Sequence, residues 1–422
     1  MGHSIRVFHS ADWHFGKMQG QLDRTADFEA FLTTFFQLVD ERQPDVLLLS
    51  GDIFDTSLPS ATAQRLYYQF IHRLRETSIR ATVITAGNHD SQRFLEAPKA
   101  LLATLNCIIA GDTPEEEAFI YRDKEGTPLL GVAAVPYLRE GDVREAHLSD
   151  TDADRAQRFE AGVLARYQAV YDELKRELDG RDVPLIAMGH LFVVGADVRP
   201  GEPLSLDSRT LNVGSLNAVS AHAFGSWWDY VALGHIHHAS RVQSDVPMRY
   251  SGSPIALTFN HRFYEHSLTE LTFSEDGVLT IETLPVAQPR AFVHLEGTLE
   301  ELVEGIREAG RSYKEPQPPY IEALLNSQEV VPDLAAYLGQ VAQEAGVILV
   351  AVRNAWALKQ YREQEAVLVD LSDLTPQEVF RLYLEDKVGL EEAQTLRETY
   401  LPLYQQALLA VDSQQDPDSE VR

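Results

Sequence analysis

The sequence predicts an α/β protein in which two stacked β-sheets lie between helices, followed by a small α+β domain and a C-terminal helical appendix. Three observations carry this expectation. Short apolar runs alternate with amphipathic segments from the N-terminus to about residue 234, a second and shorter β-α-β-α-β alternation follows a proline-bearing stretch, and a helix-start signature stands near the C-terminus. At 422 residues the chain exceeds the ~100 to 200 residues typical of one domain.

In order, IRVFH reads as the first strand and 22–42 as a helix, since Phe28, Phe31, Leu32, Phe35, Phe36 and Val39 recur at helical spacing. VLLLS is the next strand, then a helix over 60–77 with Leu66, Tyr67, Phe70, Ile71 and Leu74 on one face, then TVITA. Core packing is the default reading of both stripes, with a subunit interface as the alternative. LLGVAAV, LIAMG and YVALG continue the sheets around a long helix near 155–179. From about 283, RAFVHLEG, a helix over 298–310, YIEALLNS, a helix over 332–346 and VILVAVRNA form a small domain, with TLPVAQPR as its linker. Thr375-Pro376-Gln377-Glu378 supplies an N-cap hydroxyl, a proline at the first helical position and a capping-box glutamate, so a helix starts there. The closing stretch DSQQDPDSEVR reads as disordered.

Composition sets limits on function. No apolar run approaches the ~20 residues that span a bilayer, and the opening residues lack the layout of a signal peptide, so a cytoplasmic location without membrane is expected. The lone Cys107 sits in an apolar run and reads as a buried, inert thiol. With 36 basic against 64 acidic residues, a formal charge of −28, the chain does not coat nucleic acid through a general basic surface. Contact with phosphate would have to come from divalent cations, from a few local Lys and Arg residues, or from a partner.

The residues that carry chemistry stand where apolar strands end and loops begin, which is where α/β folds place reacting groups. Asp12-Trp13-His14 follows IRVFH, and in an extended loop side chains two apart converge. Gly51-Asp52 follows VLLLS, where glycine permits close backbone approach and Asp52 can offer two oxygens to two cations. Gly87-Asn88-His89-Asp90 follows TVITA, Gly189-His190 follows LIAM, and Gly234-His235-Ile236-His237 follows YVAL. Each element alone reads as a turn, a cap or a solvated charge. Their joint order points to one mixed oxygen and nitrogen site that suits Mn, Fe or Zn and, by ligand count, two cations activating water for phosphoester hydrolysis. His89 is the expected proton donor to the leaving oxygen, with Asp90 holding its ring; a structural histidine is the alternative. His238, His9, the Trp227–Trp228 pair, Arg93 and Lys17 are left outside the site.

DWHFGK, SGDIFDT, AGNHDS, MGHLFV and ALGHIHH resemble the signature of calcineurin-like metallophosphoesterases, and within that superfamily the Gly-His-Ile-His and Tyr250-Ser251-Gly252-Ser253-Pro254 segments resemble the bacterial SbcD family of nuclease subunits. The resemblance is close over about 5–275 and extends in layout to the rest. It implies a four-layer α-β-β-α metallophosphoesterase sandwich over 1–282, a capping domain over 283–367, helices over 368–412 that dock on an ATPase partner, and a disordered tail over 413–422. It implies one metal on Asp12, His14, Asp52 and His237 and another on Asp52, Asn88, His190 and His235, with His89 catalytic and Asp90 supporting it. The metals would be two divalent ions, Mn2+ by family habit. The implied activity is a DNA exonuclease and endonuclease working with an SMC-like ATPase, SbcC, and dimerising through helices of the nuclease domain. Two other readings stand beside it: a phosphoesterase acting on a small phosphodiester, nucleotide or phosphoprotein, and a metal-free scaffold, which would have lost ligands that this chain retains.

Overall fold

The computed structural model describes residues 4–143, 152–194, 218–313, 315–327 and 331–356. Residues 1–325 with 331–352 form one compact unit; the other, 326–330 with 353–422, lies almost wholly outside the described residues, as do the expected terminal helices, their capping box and the tail.

Strands Ile5–Ser10 (β1), Val46–Ser50 (β2), Ala81–Thr85 (β3) and Cys107–Ile109 (β4) run parallel to one another in that order. Ala118–Arg122 (β5), Pro128–Ala134 (β6), Leu185–His190 (β7), the short pair Phe192–Val193 (β8) and Ala218–Val219 (β9), Tyr230–Gly234 (β10), Ser240–Val242 (β11) and Met248–Tyr250 (β12) follow, then Ser267–Phe273 (β13) and Leu279–Pro285 (β14). Two six-stranded sheets result, ordered β14-β13-β1-β2-β3-β4 and β11-β12-β10-β7-β6-β5.

Side chains alternate across a strand, and here the central strands of each sheet are apolar and buried on both faces. Phe8, Leu47, Leu49 and Ile84 pack under Thr25–Arg42 (α1) and Ala61–Leu74 (α2). Their neighbours Val7, Leu48 and Val83 turn the other way and meet Val132, Ile186, Met188 and Ala232 of the second sheet. Ala133, Ala187, Val231 and Leu233 then pack against Phe159, Val163, Tyr167 and Leu174 of the helix Asp152–Leu178. Helix, sheet, sheet and helix therefore form four layers. The aromatic stripes of α1 and α2 are core: Trp13 sits at their centre, 5.1 Å from Phe31, 5.5 Å from Phe35 and 4.8 Å from Phe70, all edge to face. Cys107 is buried as expected, and burial pushes its thiol up to about 12.

Strands Phe292–Gly297 (β15), Tyr320–Leu325 (β16) and Ile348–Asn354 (β17) form a separate three-stranded sheet covered by the helices Leu299–Ser312 and Leu334–Ala345. The first of these helices opens with a complete capping box between Thr298 and Glu301. The stretch expected as a linker is not free chain. Thr283, Leu284 and Pro285 belong to β14, Val286 is buried, and Gln288 receives the Ala256 N–H at 2.9 Å. Arg290 is buried too and donates from Nε to Asp27 Oδ1 at 2.9 Å, while Arg24 donates to the other Asp27 oxygen at 2.9 Å and to the Ala256 carbonyl at 2.8 Å. The Arg290 guanidinium lies 4.1 Å from the Tyr320 ring centre, and that of Arg24 lies 5.1 Å from Phe292. Two cations sharing one carboxylate, with arms over rings of β15 and β16, fasten the small sheet to α1.

Replacing Asp27 by Ala leaves two buried guanidinium groups without their counter-charge, and urea unfolding should show a loss of about 3 to 5 kcal/mol. His9 supplies a pH test. It is fully buried, with Nδ1 3.2 Å from the Tyr230 hydroxyl, and burial, aided by the charge of Arg249, pushes its imidazole down to about 3. The folded chain keeps it neutral while the unfolded chain protonates near 6.5, so its contribution is complete above pH 6.5 and is lost as pH falls towards 3. By pH 5 that amounts to about 2 kcal/mol. Unfolding measured at pH 7 and pH 5 should show a smaller difference in His9→Phe than in the parent chain.

Candidate metal centre

β1, β2 and β3 of one sheet and β7 and β10 of the other deliver their C-terminal ends to one place. His190 closes β7 and pairs with Gly234, the last residue of β10; Ser50 ends β2 and donates its hydroxyl to the Ala232 carbonyl of β10 at 3.0 Å. The two sheets are thereby stitched together directly beneath the site.

The first loop is not extended. Asp12 and His14 both take left-handed backbone conformations, φ 55° and 50°, because their amides turn to the carbonyls of Gly51 and Asp52, each at 3.0 Å. That twist sends Trp13 into the aromatic core and both ligands towards the cleft. Asp52 and His235 are left-handed as well, at φ 50° and 95°. Close approach leaves no room for side chains: a Cβ on Gly87 would stand 2.2 Å from Asp52 Oδ1, and one on Gly234 would stand 2.0 Å from the Ser50 carbonyl oxygen.

The expected ligands converge. Asp52 Oδ2 lies 3.2 Å from His190 Nε2 and 3.6 Å from His14 Nε2, so one oxygen faces two imidazoles. His14 Nε2 lies 3.1 Å from His237 Nε2. Asn88 Oδ1 lies 3.1 Å from His190 Nε2 and 2.9 Å from His235 Nδ1. Asp12 accepts the His235 amide at 2.9 Å. Ligand atoms of Asp12, His14 and His237, and of Asp12, Asp52 and His190, lie within 4.8 Å of one another. His190 donates Nδ1–H to the Ser50 carbonyl at 2.8 Å, which leaves Nε2 as the ligand atom.

Protonation follows burial and neighbours. Burial raises Asp12 to about 6 despite His190. Burial also works against ionised Asp52, but His190, His14 and His89 more than reverse it and hold that carboxyl well below the usual range. His190 behaves conversely: burial lowers it, and Asp52 and Asp12 lift it to about 9. Burial, then the charge of His190, drives His235 to about 3, and burial with His14 drives His237 well below the ordinary value. Two buried carboxylates and imidazole nitrogens that converge within 4.8 Å, where a cation would take the place of the protons on His14 and His190, are a donor set that fits divalent metal.

One expectation is corrected. Asp90 does not hold the His89 ring: its oxygens accept the amides of Ile53 at 3.1 Å, Phe54 at 2.9 Å and Gly87 at 2.9 Å, because three otherwise unmatched N–H groups crowd the junction of two loops. Asp90 therefore positions the loops. The His89 ring is fixed by the Asp55 carbonyl, 2.9 Å from Nδ1, and its amide donates to Asp52 Oδ1 at 2.8 Å. The Asp55 carboxylate lies 3.4 Å from His14 Nδ1 and 3.1 Å from Lys17 Nζ, so Lys17 has a structural partner. Sequence reasoning gave Asp55 no role. It also passed over Tyr137, whose ring centre lies 6.4 Å from His235 and 6.2 Å from His190, and His261, 5.1 Å from His237. Tyr137 follows the end of β6, a signal that could have found it; His261 has none. Trp228 is core, Trp227 stacks on Tyr171, and His238 packs against Tyr264.

The profile described as calcineurin-like phosphoesterase matches residues 5–239, and one described as type 5 capsule protein repressor C-terminal domain matches 288–388. The SbcD polypeptide of the SbcCD nuclease from Escherichia coli strain K12 is 31% identical, over 94% of this chain and 96% of that one. The chain belongs to the SbcD family of calcineurin-like phosphoesterases. Other relatives are the SbcD polypeptides of Rhodobacter capsulatus, 28% identical over 89% of this chain and 93% of that one, and of Bacillus subtilis strain 168, 32% identical over 63% and 65%. As a member of the SbcD family the chain is a metal-dependent hydrolase acting on phosphodiester bonds, and the cluster offers candidate ligands for the divalent metal.

Asp90→Ala should expose the difference between a loop clamp and a catalytic group. Three buried amides lose their acceptor, so calorimetry should show a stability loss of about 3 kcal/mol even in the presence of chelator.

Proposed function

We infer that this chain is the metal-dependent nuclease component of a DNA-processing complex, hydrolysing phosphodiester bonds at DNA ends as an exonuclease and within single strands or hairpins as an endonuclease. The observation that carries this is the buried, ionised Asp52, one of whose oxygens faces His14 and His190 while the other is tied to the His89 amide. In this reading Asp12, His14, Asp52 and His237 hold one cation, and Asp52, Asn88, His190 and His235 the other, manganese being the preferred metal. Two such cations supply Lewis acidity at the phosphoryl oxygens and lower the pKa of attacking water.

The chain's own groups do the rest. With Nδ1 anchored on the Asp55 carbonyl, His89 presents Nε2 to the cleft as the proton donor to the leaving oxygen. His14, whose ring packs 4.9 Å from that of His89, keeps the donor beside the first cation position. The small domain, expected over 283–367 and carrying its three strands between Phe292 and Asn354, caps the site; the segment 368–412 docks on an SMC-like ATPase of SbcC type; and two copies pair through nuclease-domain helices. The complex works in the cytoplasm. Among the described residues no helix is long and apolar enough to cross a membrane.

Manganese-dependent cleavage of end-labelled linear DNA tests the reading. His89→Ala should lower the rate by about 10² to 10⁴ while leaving manganese binding, followed by titration calorimetry, within a few-fold of the parent. A truncation ending near residue 365 should impair stimulation by the ATPase and spare hydrolysis of bis-p-nitrophenyl phosphate. Robust ester hydrolysis with no DNA cleavage, even with the ATPase added, would move the assignment to a small-substrate phosphoesterase.

A further inference from the structure

The turn Phe259–Phe263 lies against the metal centre without contributing a ligand. It is anchored at both ends. His261 is buried, its ring 5.1 Å from that of His237, and it stacks on Tyr264 with ring centres 4.8 Å apart and an interplanar angle of 21°. Its Nδ1 accepts the Leu257 amide at 3.2 Å, and its carbonyl lies 3.2 Å from His266 Nε2. Phe259 packs edge to face on Phe292 of the small sheet, 5.1 Å away. Between buried His261 and buried His266 stand half-buried Arg262 and exposed Phe263. Phe263 is 55% exposed, among the largest apolar exposures of the unit, and the Arg262 guanidinium lies 4.1 Å from its ring centre. Arg262 is itself fixed, donating to the Phe259 carbonyl at 2.6 Å.

The Arg262 guanidinium packed on one face of the Phe263 ring holds it in place and sets a positive charge beside its exposed face. Phe263 is two residues from a histidine in contact with a metal ligand, within about 7 Å along the backbone. A flat ring with a guanidinium on one face, carried by a turn that touches a metal-site histidine through His261, matches the π-face of a nucleobase. Only an unstacked base presents that face, so the feature recognises an unpaired nucleotide and not duplex. Stacking also answers the charge of the chain, because it needs no general basic surface.

We propose that Arg262 and Phe263 form a base-stacking platform for an unpaired nucleotide of the strand being cleaved. This rests on the nuclease reading above and adds a specificity determinant to it: the site favours DNA with unpaired nucleotides next to the scissile phosphate.

The test uses the full chain with manganese and compares the parent, Phe263→Ala and Phe263→Trp. Two quantities are read: the ratio of kcat/KM on a single-stranded oligodeoxynucleotide to that on bis-p-nitrophenyl phosphate, and the quenching of a 2-aminopurine oligodeoxynucleotide on binding in chelator. In Phe263→Ala the ratio should fall about tenfold and quenching should weaken, as loss of one base–aromatic stack requires; Phe263→Trp should restore both. A ratio in Phe263→Ala within twofold of the parent overturns the proposal, whether or not both activities have dropped, and so does a Trp variant no better than Ala. Failure of the nuclease reading is seen separately, in a parent chain that cleaves the ester but no oligodeoxynucleotide.

Discussion

Keeping a carboxylate ionised away from water requires protonatable or cationic groups around it, and Asp52 meets that requirement with groups drawn from both sheets. His14 comes from the loop after β1, His89 from the loop after β3, and His190 from the end of β7. No single sheet could supply all three. The pairing of the sheets through Val7, Leu48, Ile186 and Ala232, and the Ser50 hydroxyl bond to β10, are therefore conditions for the site as much as for the fold. The left-handed turns at Asp12, His14, Asp52 and His235 follow from the same requirement, since loops from different strands must approach closely enough to share backbone hydrogen bonds.

The strands that carry the site were legible because each is a short apolar run ending in glycine or a polar residue, and the helices because their aromatic stripes keep a 3.6-residue period. The outer strands were harder. β14 exposes Thr280, Glu282 and Thr283, and β5 alternates poorly, so neither shows the apolar run of a central strand. Within the site, residue types and order identified the ligands, but not what holds them. Asp90 follows His89 in the chain yet bonds to Ile53, Phe54 and Gly87, and the His89 ring is steered by a backbone carbonyl, a group that leaves no mark on side-chain pattern. Contacts between loops separated by tens of residues are set by the packing of the sheets.

The junction with the small sheet shows the same principle applied to a surface. TLPVAQPR looks like a spacer by composition, but Leu284 and Val286 are core and Arg290 reaches Asp27. A proline-bearing stretch becomes rigid when its side chains find partners across the interface, and sequence alone does not name those partners. Placing β15 and β16 against α1 also places Phe259 and its turn beside His237, so the geometry at the edge of the metal centre depends on the seam.

The buried Cys107 carries a practical corollary. It is the chain's single cysteine, 1% exposed, with its thiol held protonated far above neutral pH. A thiol-specific dye or spin label applied to the folded protein finds no native target, so a cysteine introduced at any accessible position becomes the sole point of attachment. Distances between the small sheet and the rest of the unit can then be followed with labels placed two at a time, without first stripping the chain of its natural thiol.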